Sequence, residues 1–169
     1  MTVFPNADLS ELELVQNPAI GAYLLWQFTL GYQEDGADSV PFLLAFLLLP
    51  MLLHRPTYDA VVSTRKASGL TLFAAKFDKE REMLIELHGR ALLLRPLSLQ
   101  SIGIASSSRL VQIDHQAATL HGYPLDLLDI KKPSIPERLK GFPSAADKIG
   151  YWFSKLELPQ IASTLRIDF

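Results

Sequence analysis

The sequence contains no cysteine, and this absence excludes several kinds of chemistry at once. Disulfide bonds, thiolate nucleophiles and thiolate metal ligands all require a cysteine side chain. An excess of charge of one sign is also missing, because 16 Lys and Arg stand against 18 Asp and Glu, a net charge of −2. The chain therefore has no overall basic field that would recruit nucleic acid. The absence of cysteine fits a cytoplasmic protein.

Recognisable catalytic, cofactor and metal motifs are absent as well. Ser106–Ser108 lack the nucleophile-elbow pattern, and the glycines are too scattered for a Walker or Rossmann fingerprint. None of the histidines is spaced from another as a helical metal pair is. We therefore expect no catalytic residue, no cofactor and no metal, and a protein that is not an enzyme. The histidines are His54, His88, His115 and His121.

What the chain has in excess is apolar side chains. They make up 49% of the residues, and the mean hydropathy is +0.17. The longest run, Val40–Leu53, reads VPFLLAFLLLPMLL. A membrane span needs roughly 20 apolar residues, whereas runs of about 10–14 are more often buried helices. We favour a central buried helix over a membrane-associated segment, and we expect the surplus apolar surface to be covered in a complex.

The predicted fold class is mainly α (α+β), a helical domain around that buried helix. Asn17 and Pro18 are typical of a helix start, Ser98 and Ser144 are candidate N-caps, and Gly21 with Ala22 would let another backbone approach. Trp26 and Trp152 are expected to be core residues. The predicted organisation is an N-terminal arm (1–16), a helical core (17–123), a proline-rich connector (124–143) and C-terminal helices packing on the same domain (144–169). The arm lacks the pattern of a secretory signal.

A β-hairpin is predicted near the middle of the chain. Arg109–Asp114 alternates apolar and polar residues, and Ala117–Tyr123 returns as a second strand after His115-Gln116. A helix, then a short helix after a break (Ser98–Ser108), and then a hairpin is the order found in a winged helix-turn-helix, so we predict a winged-helix-like unit with its hairpin at 109–123. If that unit read DNA, Gln100 and Arg109 would be the contacts. The preceding helix contains no arginine, so we favour protein contacts over DNA reading.

A partner-binding patch is predicted after the apolar run. Arg55, Arg65 and Lys66 lie close together in the sequence and form a candidate basic cluster. The alternative is that they are solvated charges at helix ends.

Three segments carry a resemblance to a known family. They are NPAIGAYLLWQF, PFLLAFLLLPMLLHRPT and ADKIGYWFSKLELPQIASTL. The chain resembles the middle component of bacterial three-component ABC-ATPase systems, which are similar to Lamassu-type defence against phages and plasmids. The tail Arg166–Phe169 departs from the Gly-Val-Arg-Pro-like ending expected of that family.

The resemblance implies a non-catalytic cytoplasmic subunit. It would bind an SMC-like ABC ATPase and couple it to an effector nuclease, meeting DNA only through the complex and taking no small-molecule substrate. The alternative function is a small winged-helix regulator that binds DNA directly.

Overall fold

The computed structural model describes residues 17–169, and within this range the chain forms eight α-helices and three short strands. The predicted arm, residues 1–16, lies outside the described residues. The predicted fold class, mainly α (α+β), is confirmed. In chain order the elements are α1 (Pro18–Gln33), β1 (Val40–Pro41), α2 (Ala45–Leu53), α3 (Arg55–Ser63), α4 (Gly69–Ala75), α5 (Arg81–Leu93), α6 (Arg95–Ser107), β2 (Val111–Asp114), β3 (Thr119–Gly122), α7 (Phe142–Ser154) and α8 (Leu158–Leu165).

Helix α1 is the element against which much of the domain packs. It begins as predicted, because the Asn17 side chain accepts a hydrogen bond from the backbone N–H of Ala19 at 3.2 Å, with Pro18 in the first turn. Helix α7 makes the most extensive contact with α1, and α6 makes the next. Both tryptophans are buried, as predicted. Trp26 Nε1 donates to the carbonyl of Tyr123 at 2.7 Å, and Trp152 Nε1 donates to that of Lys66 at 2.8 Å.

Two glycines bring the backbones of α1 and α7 together. A Cβ atom on Gly31 would lie 2.0 Å from the carbonyl oxygen of Asp147, and one on Gly150 would lie 2.0 Å from that of Phe28. Each glycine thus faces the other helix's main chain. Gly21, the predicted site of close approach, instead faces the Ser101 side chain of α6.

The apolar run Val40–Leu53 is largely buried, but the prediction that it forms one helix is wrong. Val40 and Pro41 form strand β1, Phe42–Leu44 is a turn of 3₁₀ helix, and α2 starts only at Ala45. Pro41 holds an extended conformation, so the chain can pair with β3 before it turns into the helix. No helix within residues 17–169 is long and apolar enough to cross a membrane.

The sheet is antiparallel with the strand order β1-β3-β2. Val111 pairs with Gly122, and Val40 pairs with Leu120 on the other side of β3. The predicted second strand starts too early, because residues 115–118 form the turn. Asp114 Oδ1 accepts the N–H groups of Gln116 and Ala117 at 2.9 Å, which fixes that turn.

Both predicted serine caps are wrong. Helix α6 begins at Arg95 and α7 at Phe142, and each carries a proline in its first turn, where the missing N–H costs nothing. Ser98 and Ser144 therefore lie inside their helices. The connector contains two short 3₁₀ turns, Leu125–Leu127 and Glu137–Leu139.

Candidate interaction surface

An apolar groove, called here the α5 groove, lies where helix α5, the start of α2 and the C-terminal tail meet. Its volume is about 290 Å³. Apolar side chains supply most of its lining, with one histidine, one arginine and one aspartate among them. The lining residues are Leu43, Phe46, Leu47, His88, Ala91, Leu92, Arg95, Ile167, Asp168 and Phe169.

Helix α5 ends with exposed leucines because it has more apolar residues than the core can accept. Leu87 and Leu94 are buried, at 1% and 8% exposure. Successive residues of an α-helix are about 100° apart, so Leu92 and Leu93 cannot share the face of Leu87 and Leu94. Leu92 is 59% exposed and Leu93 is 78% exposed. These two leucines add apolar surface to the protein without adding to its core.

The C-terminal tail forms one wall of the groove. Ile167 is buried, and its backbone N–H donates to the carbonyl of Ala162 at 3.0 Å, which anchors the tail to α8. Phe169, the last residue, is 51% exposed and lines the groove. On another part of the lining, the Arg95 guanidinium lies 5.9 Å from the centre of the Phe46 ring.

The predicted basic cluster lies elsewhere. Arg55 is exposed and forms an ion pair with Asp59, at 3.1 Å. Lys66 Nζ bonds to Asp147 at 2.8 Å and to Glu34, so its charge is used within the domain. Arg65 is exposed. None of the three lines the α5 groove, and their role in partner binding stays a prediction.

Lys66 belongs to a charged network that ties the loop after α1 to α7. Burial disfavours its charge, but the hydrogen bonds that Lys66 donates to Asp147 and Glu34 outweigh burial and raise the pKa of Lys66. Beside it, Lys155 bonds to Asp35, and that bond is the main cause of the lowered pKa of Asp35. The Nζ atoms of Lys66 and Lys155 lie 4.8 and 4.7 Å from the centre of the Tyr151 ring. This network is a structural feature of the domain.

The two candidate DNA contacts lie on and just after α6. Gln100 is exposed. Arg109 directly follows the helix and has a left-handed φ of 60°. Its backbone N–H donates to the carbonyl of Ser106, and the backbone N–H of Leu110 donates to the carbonyl of Ala105. This is the Schellman arrangement, in which glycine is usual at the left-handed position. The hairpin turn at 115–118 contains no lysine or arginine.

The α5 groove was not predicted from the sequence. The available signal was Leu92–Leu94, three consecutive leucines at the end of a helix, of which a single face can bury only part. Phe169 gave no comparable signal, because its place beside Leu92 depends on the path of the tail.

Residues 17–169 contain no group of three or more His, Asp or Glu side chains that could hold a metal ion.

The fold and the site define a small, mainly helical domain that leaves an apolar groove uncovered. The model of the ABC-three component (ABC-3C) system Middle Component 3 family matches residues 6–169, and the chain therefore belongs to that family. The protein is thus a component of a multi-subunit ABC system, and the resemblance seen in the sequence is confirmed at the level of the family. No curated protein and no solved structure matches the chain.

Proposed function

We propose that this protein is a non-catalytic adaptor that binds the SMC-like ABC ATPase of its system and couples it to an effector nuclease. In this proposal the system acts against phages or plasmids in the cytoplasm. The α5 groove is the surface that binds the ATPase.

The exposure of apolar side chains around the groove carries this proposal. Leu43, Leu92 and Phe169 line one concave surface and are 46%, 59% and 51% exposed. Full burial of a leucine or phenylalanine side chain contributes about 1.5–3 kcal/mol. Because these three side chains are about half exposed, a partner that covered them would gain up to about half of that from each. Family membership supplies the kind of partner, because a middle component acts with the other components of its ABC system.

The pair of substitutions Leu92→Glu and Leu72→Glu tests the groove. Both replace an exposed leucine, 59% and 49% exposed, but Leu72 lies on α4 outside the groove. We expect the wild-type protein and Leu72→Glu to co-purify with the ATPase when all components are co-expressed, and Leu92→Glu to be lost. Circular dichroism checks that both variants fold.

Two outcomes would contradict the proposal. One is retention of Leu92→Glu at the wild-type level. The other is binding of the wild-type protein to the effector alone, with no binding to the ATPase.

A second candidate function, direct DNA binding, is favoured by the order of the elements. Helix α6 leads directly into the hairpin β2–β3, and β1 adds to the outer side of β3, as in a winged helix. On this proposal Gln100 and Arg109 contact the duplex. A salt-dependent shift of duplex DNA by the isolated protein, lost in Arg109→Ala, would support it, whereas no shift at low salt would exclude it.

A further inference from the structure

A second cleft, formed by α4, α5 and α8, places two arginines in one cavity. Arg81 is the first residue of α5, and Arg166 directly follows α8. Both line a cavity of about 420 Å³, and none of the residues predicted to bind partners lines it. Within residues 17–169, neither guanidinium has an ion pair.

Hydroxyl groups add further polar character to this arginine cleft. Ser163 and Thr164 both donate to the carbonyl of Gln160, at 3.1 and 2.6 Å. Thr71 also lines the cleft, and its hydroxyl has no such bond among the described residues. Asp78 is the acidic side chain of the lining, so two positive charges face one negative charge.

The backbone at Arg166 is in a conformation that favours glycine. Its φ is 55° and its ψ is 48°, in the left-handed region, and its N–H donates to the carbonyl of Ala162. The negative end of the α8 dipole favours a cation here, but it does not require an arginine in this conformation. Arg81 lies at the opposite, positive end of its own helix, where a cation is disfavoured. Helix electrostatics therefore does not explain why both positions are arginine.

We propose that Arg81 and Arg166 bind a phosphate group in the arginine cleft. A guanidinium presents its N–H donors in a planar fork that matches the oxygens of phosphate, and Thr71 would supply a further donor. Free nucleotide and the backbone of a nucleic acid are two sources of the same group. This site is independent of the α5 groove.

Titration calorimetry with inorganic phosphate, at constant ionic strength in chloride, tests the proposal. The decisive variant is Arg166→Gly, because glycine relieves the left-handed backbone while it removes the guanidinium. We expect this variant to melt at a higher temperature than the wild type and to bind phosphate at least about tenfold more weakly, since a charge-assisted hydrogen bond is lost.

Ala118→Gly is the matched control. It makes the same backbone change at another left-handed position, where φ is 53°, and Ala118 does not line the arginine cleft. We expect it to raise the melting temperature while phosphate affinity stays at the wild-type value. Arg81→Gln should weaken phosphate binding in the same way as Arg166→Gly, even if Arg166→Gly proves to destabilise the fold.

Unchanged phosphate affinity in Arg81→Gln and Arg166→Gly would overturn the proposal, as would the absence of binding by the wild type at about 10 mM phosphate. Titrations with ATP and with a short DNA duplex then distinguish the two sources. The source that binds more tightly, and loses that binding in Arg81→Gln, is the one the cleft recognises.

Discussion

The close contact between α1 and α7 makes Gly150→Ala the substitution with the clearest expected effect. The added Cβ would lie 2.0 Å from the carbonyl oxygen of Phe28 and 2.9 Å from the backbone nitrogen of Tyr32. Both obstacles are main-chain atoms of a helix, so neither can rotate aside. An ordinary contact of this kind is at least 3.4 Å, which means that the helices would have to separate by about 1.4 Å.

The magnitude follows from two opposing terms. Overpacking costs about 1–3 kcal/mol, and the upper value applies here because the rings of Phe28 and Phe153, 5.8 Å apart and fully buried, must also move. Replacing glycine by alanine within a helix stabilises the folded state by about 1 kcal/mol. The net destabilisation is about 2 kcal/mol, which lowers the Tm of a chain of this size by about 4–8 °C.

Calorimetric or fluorescence-detected thermal unfolding of Gly150→Ala measures this change. Gly103→Ala is the matched control, because Gly103 lies inside α6 with nothing within 4 Å of its added Cβ. The control should be stabilised by about 0.5–1 kcal/mol, so the two variants should shift in opposite directions. A Gly150→Ala protein as stable as the wild type would refute the described packing of α1 on α7.

Three further predictions concern single side chains. Trp152→Ala should lower the free energy of unfolding, measured in urea, by about 3–5 kcal/mol because the ring is fully buried. A decrease below about 1 kcal/mol would contradict that burial. Lys148→Met should lower the free energy of unfolding by about 1–2 kcal/mol. The Lys148 ammonium donates to the carbonyls of Val61 and Thr64, at 3.0 and 2.9 Å, at the end of α3. An unchanged urea midpoint would show that these bonds do not stabilise the fold. Because the pKa of Lys66 is raised above its ordinary value of 10.5, its stabilising pairs are intact below pH 10.5 and are lost as the pH rises through the higher folded-state pKa. The stability difference between the wild type and Lys66→Met should therefore shrink above pH 10.5, and a difference that grew there would contradict this sign.

Local sequence signals predicted much of the helical structure. Asn17 followed by Pro18 caps α1 as expected, because a side-chain acceptor and a missing N–H act within a single turn. The two tryptophans are buried because each can satisfy its indole N–H with a nearby carbonyl.

Features that depend on distant residues could not be predicted in this way. Val40 looks like part of an apolar helix until its partner Leu120 is known, because the pairing joins residues 80 positions apart in the sequence. The roles of Gly31 and Gly150 depend on the distance between two helices that are far apart along the chain. The same limit applies to Lys66, whose partners Glu34 and Asp147 come from other elements.

The α5 groove was hidden for a related reason. Leucines are expected to be buried, and the sequence does not show which of Leu92, Leu93 and Leu94 lies in the core. The structure buries Leu94 at 8% exposure and leaves the other two outside. Of these two, Leu92 lines the cavity together with the tail residue Phe169.

The central claim, that a partner covers the α5 groove, can be tested directly by thiol labelling. The chain has no cysteine, so Leu92→Cys and Leu72→Cys each introduce a single reactive thiol. In the isolated protein both thiols should react with a maleimide at similar rates, since both positions are exposed. On adding the ABC ATPase of the system, we predict that labelling at position 92 slows at least about tenfold while labelling at position 72 does not change. Equal labelling at position 92 with and without the bound ATPase would contradict the claim.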